Sequence, residues 1–170
     1  MHDRRGILKT LTGLLGTIVG AVVAIPALRF LWYPVSHKVT SSGDEPLPVG
    51  KLDELRPGQP LRVTVMGART DAWLRLENQK LGACWLVREG DEVRAFSTVC
   101  PHLGCGIDWN DATKKFDCPC HGSVFEISGK CVAGPSPRGM DELAVTTKGQ
   151  EIAVRYQRFR VSTAKKEPLG

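Results

Sequence analysis

Cys100-Pro101-His102-Leu103-Gly104-Cys105 and Cys118-Pro119-Cys120-His121-Gly122-Ser123 are the two short runs on which the reading of this chain turns. Each opens on a cysteine, offers a histidine two or three residues later and carries a second cysteine. Two such loops can present two thiolates and two imidazoles to one site. Pro101, Gly104, Pro119 and Gly122 supply tight turns, and glycine lets backbone approach a bound group closely. Four of the six cysteines crowd into this stretch, and Cys118 follows Cys100 by eighteen residues. A disulfide scaffold would spread its cysteines through a smaller chain, so clustering with histidines among them speaks first for metal. Zinc accepts four nitrogen and sulfur ligands, but the spacings C-x-H-x2-C and C-x-C-H are unlike those of the common zinc fingers.

Outward from these boxes the sequence is β-like. Leu61-Arg62-Val63-Thr64-Val65-Met66 alternates apolar and polar residues. Residues 84–88 and 93–98 flank Glu89-Gly90-Asp91-Glu92, and residues 143–147 and 152–156 flank Lys148-Gly149-Gln150-Glu151. Both patterns predict hairpins. No amphipathic helical stretch of useful length follows Gly50. The expectation is an all-β domain over 51–160, an antiparallel β sandwich or barrel with metal-binding loops, and a loose tail over 161–170.

The beginning of the chain reads as an address and an anchor. Arg4-Arg5-Gly6-Ile7-Leu8-Lys9 resembles a bacterial twin-arginine export signal, which carries proteins already folded. The plainer reading is a basic flank of a membrane helix. Residues 11–32 are almost wholly apolar, broken only by threonines, glycines, Pro26 and Arg29. About 22 residues rising about 1.5 Å each span about 33 Å, enough for the hydrocarbon core of a bilayer. Arg29 can snorkel to the headgroups, and Trp32 and Tyr33 suit the interface. The expected organisation is a cytoplasmic N-terminus over 1–10, one transmembrane helix over 11–33 and a flexible linker or hinge over 34–50, rich in proline and small polar residues. His37 in the linker reads as a solvated side chain. The positive-inside rule puts the N-terminus in the cytoplasm and the domain on the outer, periplasmic side of a bacterial cytoplasmic membrane. A signal peptide cleaved near Val22-Val23-Ala24 competes, but the apolar run continues through Leu31, which favours a retained anchor.

Charge excludes one class of partner. The formal net charge is +5, yet from Val35 onward 19 basic residues face 17 acidic ones with the signs interspersed. No Lys/Arg block with interleaved aromatics remains, so nucleic acid is not expected.

The pattern C-x-H-x-G-C followed by C-P-C-H-G-S resembles the Rieske iron–sulfur family, whose two cysteines and two histidines divide over the irons of a [2Fe–2S] cluster. The resemblance covers roughly Lys51 to Arg160. It implies that Cys100 and Cys118 bind the inner iron and that His102 and His121 bind the outer iron, near the surface. Cys105 and Cys120 match the pair that forms a disulfide between the loops; two free buried thiols are the alternative. Ser123 matches the family's serine that hydrogen-bonds a bridging sulfide, though such a serine also caps turns. Phe125 stands where high-potential members carry tyrosine, which implies a lower potential compatible with menaquinol; core packing explains it equally well. Gly134-Pro135-Ser136-Pro137-Arg138 resembles the family's proline loop, a stiff lid over the cluster. Imidazole ligands raise the potential to about −150 to +300 mV, against about −400 mV for plant-type ferredoxins. A histidine ligand whose second ring N–H titrates joins electron uptake to proton uptake, which suits a quinol donor.

Within that family the chain is most similar to the iron–sulfur subunit of bacterial quinol–cytochrome c reductase, the cytochrome bc complex. The resemblance implies a redox subunit without activity of its own, which docks at cytochrome b, takes one electron from quinol and swings on its tether to a c-type cytochrome. His121 is expected to hydrogen-bond the quinol as the catalytic residue, with His102 and Leu103 on the docking surface. The other readings are a Rieske subunit of a periplasmic molybdenum oxidoreductase such as arsenite oxidase, and a non-redox zinc module. Cys84 and Cys131 fall outside the pattern, as buried free thiols or as a second disulfide.

Overall fold

The computed structural model describes residues 3–36, 40–41, 45–71 and 74–169. The chain divides into two compact units, one dominated by the N-terminal helix and one by β structure.

Helix α1 covers Arg4–Ser36, 33 residues, and none of its side chains is buried. It is long and apolar enough to cross a membrane. It extends beyond the expected 11–33 at both ends, taking in the twin arginine and Pro34-Val35-Ser36. The threonines that interrupt the apolar run do not break it. Thr10, Thr12 and Thr17 each donate their hydroxyl to the carbonyl four residues earlier, at 2.9 Å, so these hydroxyls are satisfied within the helix itself.

The β unit starts with β1 (Thr40–Ser41), β2 (Leu47–Lys51) and β3 (Leu61–Asp71). Strands β4 (Leu74–Glu89) and β5 (Glu92–Ser97) follow. Four short strands follow, β6 (Asp108–Asn110), β7 (Lys115–Cys118), β8 (Ser123–Phe125) and β9 (Cys131–Ala133); the first box precedes β6, and the second joins β7 to β8. Strands β10 (Glu142–Lys148), β11 (Glu151–Arg155), β12 (Arg158–Phe159) and β13 (Pro168–Leu169) complete the chain. They form a seven-stranded sheet in the order β1-β3-β4-β5-β10-β11-β2, a four-stranded sheet β6-β7-β8-β9 and a two-stranded pair β12-β13. The all-β expectation with one N-terminal helix holds.

Both expected hairpins are present. Glu89 pairs with Glu92 and Lys148 with Glu151, leaving the two-residue turns Gly90-Asp91 and Gly149-Gln150. Gly90 and Gly149 have φ of 64° and 60°, the left-handed conformation that such turns require.

Two cores result. In the large sheet Val65, Leu86, Ala95, Ile152 and Val154 are fully buried with Leu143 and Tyr156. Each large aliphatic among them stabilises the fold by roughly 1.5–3 kcal/mol. The second core holds Trp85, Val87, Phe96, Ile107, Phe116 and Phe125, together with Cys100 and Cys118. The cysteines that open both boxes are therefore packed into hydrophobic structure, and the Trp85 indole N–H, donating to the Ile107 carbonyl at 3.0 Å, ties this core to the large sheet.

Three boundaries differ from the composition-based expectation. Leu47–Gly50 lies in β2, paired with β11, because its apolar residues pack on the large core. Thr40 and Ser41 of the expected linker pair with Thr70 and Arg69; residues 37–39 and 42–44 of the hinge lie outside the described residues. The expected loose tail is tied down. Arg158 pairs with Leu169 and Phe159 with Pro168, and the Lys166 ammonium sits 4.7 Å from the Phe159 ring centre. The tail's polar composition hides this, since two-residue strands carry no alternating apolar pattern.

Candidate metal centre

The two boxes are built alike. In the first, Gly104 N–H donates to the Cys100 carbonyl at 2.9 Å; in the second, Gly122 N–H donates to the Cys118 carbonyl at 3.1 Å. Each loop thus closes from the fourth residue back onto the opening cysteine. Both glycines stand at positive φ, 85° and 70°, where a side chain would be strained. The first loop is held further by Cys100 N–H donating to the Cys105 carbonyl at 2.7 Å. The second is a β-hairpin end, with Cys118 paired to Ser123.

These closures sort the side chains by depth. Cys100 and Cys118 are 1% and 3% exposed, whereas His102 is half-buried and His121 is exposed. The imidazole rings meet edge to face, centroids 4.7 Å apart and 89° between planes. Cys105 and Cys120 form a disulfide joining the loops. Cys105, Cys118 and Cys120 are the sulfur cluster of the site, and with two of them spent in the disulfide only Cys118 is free to ligate. Cys100 supplies the second buried thiol.

Burial pushes the Cys100 thiol up from its ordinary range, opposed by a hydrogen bond from the His102 backbone and reinforced by the neighbouring Cys118 thiol. A buried thiol such as that of Cys100 ionises readily only against positive charge, which a bound metal would supply. Ser123 gives a second indication. It is fully buried, and its Oγ has no partner at normal hydrogen-bond geometry among the described residues, although it faces the Cys100 thiol and favours that thiol's ionised form. A buried hydroxyl without a partner costs about 1–3 kcal/mol, so it marks where an acceptor belongs. The residues present fit a cluster with two sulfur ligands, two nitrogen ligands and an acceptor sulfide.

The proline loop lies against the second box. Gly134, at φ 87°, approaches the Ser123 and Gly122 backbone so closely that no side chain fits. Pro135 and Pro137 are exposed, and Leu103 stands out from the first box at 56% exposure. Phe125 is fully buried in the core that holds Cys100 and Cys118. Cys84 and Cys131 are free, the first buried and the second half-buried.

Sequence reasoning named Arg138 only as the end of the proline loop and missed what it holds. Its side chain is 10% exposed and grips Asp141 with two bonds of 2.8 Å. It also donates to the Arg160 carbonyl at 2.8 Å, to the Thr163 carbonyl and to Thr163 Oγ1 at 3.3 Å. An Arg and an Asp three residues apart in a loop is too common a pattern to have signalled this.

Comparisons with known proteins agree with the geometry. The Rieske [2Fe-2S] domain family profile matches residues 45–154. The menaquinol:cytochrome c reductase iron-sulfur subunit of Bacillus subtilis is 37% identical over 143 residues, 80% of this chain and 81% of that protein. The cytochrome b6-f complex iron-sulfur subunit of Chlorobaculum thiosulfatiphilum is 27% identical over 152 residues, 89% of this chain and 75% of that one. The cytochrome b6-f complex iron-sulfur subunit 2 of a Synechocystis species is 37% identical over 141 residues, 79% of this chain and 73% of that protein.

Proposed function

Since this chain belongs to the Rieske [2Fe–2S] family and holds that type of cluster, we propose that it is the electron-transfer subunit of a quinol–cytochrome c reductase. The observation that carries the proposal is the pairing of outward imidazoles with inward thiols: His102 and His121 at the surface, Cys100 and Cys118 in the core. The family's ligand pattern falls on these four residues. The cluster supplies one-electron redox chemistry at a potential raised by its imidazole ligands.

The chain's own residues shape the rest. Cys100 and Cys118 would hold one iron of the cluster away from water, and the Cys105–Cys120 disulfide keeps the loops together. Ser123 Oγ would donate to a cluster sulfide and draw charge from it. His121 accepts the quinol's hydrogen bond and its proton at the ring nitrogen not used for iron, with Leu103 and His102 forming the apolar and polar rim of the docking surface. Gly134, Pro135 and Pro137 cover the cluster on the side of the second box.

The chain is a single-pass membrane protein, anchored by α1. We place its N-terminus in the cytoplasm and the β domain on the outer face of a bacterial cytoplasmic membrane, reached by twin-arginine export. The partners are a cytochrome b subunit and a c-type cytochrome, and Phe125 favours menaquinol as donor. Residues between α1 and the domain act as the tether for the moving head. Purification from membranes tests the whole reading. The expected result is co-purification with cytochrome b, a reduced-state Rieske signal in electron paramagnetic resonance and quinol oxidation lost on His121→Ala. Co-purification with a molybdenum subunit, or zinc in place of iron, overturns it.

A further inference from the structure

The C-terminal segment reaches the first metal-binding box through one residue. Ser162 N–H donates to the Pro101 carbonyl at 2.8 Å, and Ser162 Oγ donates to the His102 carbonyl at 2.7 Å. Both donors converge on consecutive peptides because Ser162 stands at φ 60°, a left-handed conformation that non-glycine residues adopt only under constraint. The constraint is visible on either side. Arg138 holds the Arg160 carbonyl at 2.8 Å and the carbonyl and hydroxyl of Thr163, so the residues flanking Ser162 hang from one buried guanidinium. Arg138 is itself fixed by Asp141, whose carboxylate is 6% exposed and whose backbone carbonyl accepts from Ser97 N–H at 2.8 Å. Arg160 N–H donates to the Glu167 carbonyl at 2.9 Å, closing the segment on itself.

A cleft of about 410 Å³ lies beside the segment, lined by Ser97, Val99, Gly104, Phe159, Val161 and Leu169 among others, while Phe159 itself is buried in the large core. Hydrogen bonds from Ser162 hold the back of the first box at Pro101 and His102. Arg138 is the last residue of the proline loop. Through the segment that it grips, one guanidinium connects the lid over the second box to Ser162 and so to the first box.

We propose that residues 160–163 are a strap and that Ser162 and Arg138 are positioning residues, which set the orientation of His102 and so tune the metal centre. The inference rests on the reading of His102 as an iron ligand. Fixing the ligand's own peptide restricts how the imidazole turns toward iron, and hydrogen bonds to that peptide's carbonyl draw electron density from beside the centre. The strap acts on one histidine and leaves His121 alone, which makes the two imidazoles inequivalent.

Ser162→Gly removes the CH2OH side chain, keeps the N–H and suits the positive φ, so it folds without strain. Arg138→Lys, a second variant, keeps the buried charge and loses the fork. Both are made in the full chain carrying its metal. Amide hydrogen exchange at Cys100 and Gly104, whose N–H groups close the first loop, is expected to quicken about two- to ten-fold in Ser162→Gly. The g values of the reduced protein and its midpoint potential are expected to move in both variants. A native protein without any [2Fe–2S] resonance overturns the family reading itself. A native resonance that both variants reproduce unchanged overturns the strap alone, whether or not exchange quickens, because the tail is then only structural.

Discussion

A β-carbon built on Gly134 would stand 2.4 Å from the Ser123 Cα and 2.5 Å from the Gly122 carbonyl oxygen. The backbone of the proline loop therefore lies directly on the second box, and the obstacle is main chain, which does not swing aside as a side chain does. Gly134 also stands at φ 87°. Gly134→Ala combines left-handed strain with overpacking, together about 2–5 kcal/mol. The expected variant melts at lower temperature and retains less iron. A native melting temperature with full iron content would show that the lid adapts.

The disulfide spans 15 residues and joins the two boxes. Closing a loop of that size stabilises by about 3 kcal/mol in the chain-entropy description. Replacing Cys105 and Cys120 together by serine is expected to lower the unfolding free energy by up to that amount in denaturant titration. Iron loss to a chelator should quicken as well, because nothing else covalent holds the loops together. An unchanged denaturation midpoint counts against the clamp.

Ser123 and Phe125 set opposite tests of potential. The Ser123 hydroxyl has no partner at normal hydrogen-bond geometry among the described residues and faces the Cys100 thiol, so Ser123→Ala should lower the midpoint by removing a donor from beside the metal centre. Phe125→Tyr adds a hydroxyl inside the core that holds Cys100 and Cys118. A hydroxyl there needs an acceptor, and bonding to a ligand sulfur favours the reduced state, so the midpoint should rise. Protein-film voltammetry reads both, and a fall or no change in Phe125→Tyr defeats the argument about the quinone.

Burial pushes the Cys84 thiol up to about 12 from 9.0. A folded-state value above the unfolded one favours the neutral thiol; the associated stability is complete below about pH 9 and is lost as pH rises toward 12. At pH 8 an alkylating agent is expected to modify half-buried Cys131 in the native protein and to spare Cys84 until denaturant is added. Mass spectrometry after brief labelling decides it, and equal modification of both would mean that the core around Cys84 opens readily.

How much of this was legible beforehand depends on the distance over which each feature is encoded. The hairpins around Gly90 and Gly149 were readable because a two-residue turn and alternating neighbours are local signals. Strands β6 to β9 were not, being only three or four residues long, too short for an alternating pattern to show. Strand β4 was seen only in its inner half. Its outer residues, from Leu74 to Lys80, are all exposed and carry no burial pattern to read. The boundary between linker and domain was placed too late, since Pro48 and Gly50 look like linker residues and pair with β11 only in three dimensions.

By itself the sequence determined the ligand set on offer, the apolar span long enough for a membrane and the β character of the domain. Each of these follows from spacing or composition within a short stretch. Only the tertiary structure decided which groups stand beside those ligands: the buried Ser123 hydroxyl left without a partner, the Gly134 backbone pressed on Ser123, and the tail that Arg138 and Ser162 bind to the first box. These depend on contacts between segments far apart in the chain, such as Ser162 and His102, 60 residues apart. Such contacts exist only once hydrophobic burial has brought distant strands together, so no local pattern could have announced them.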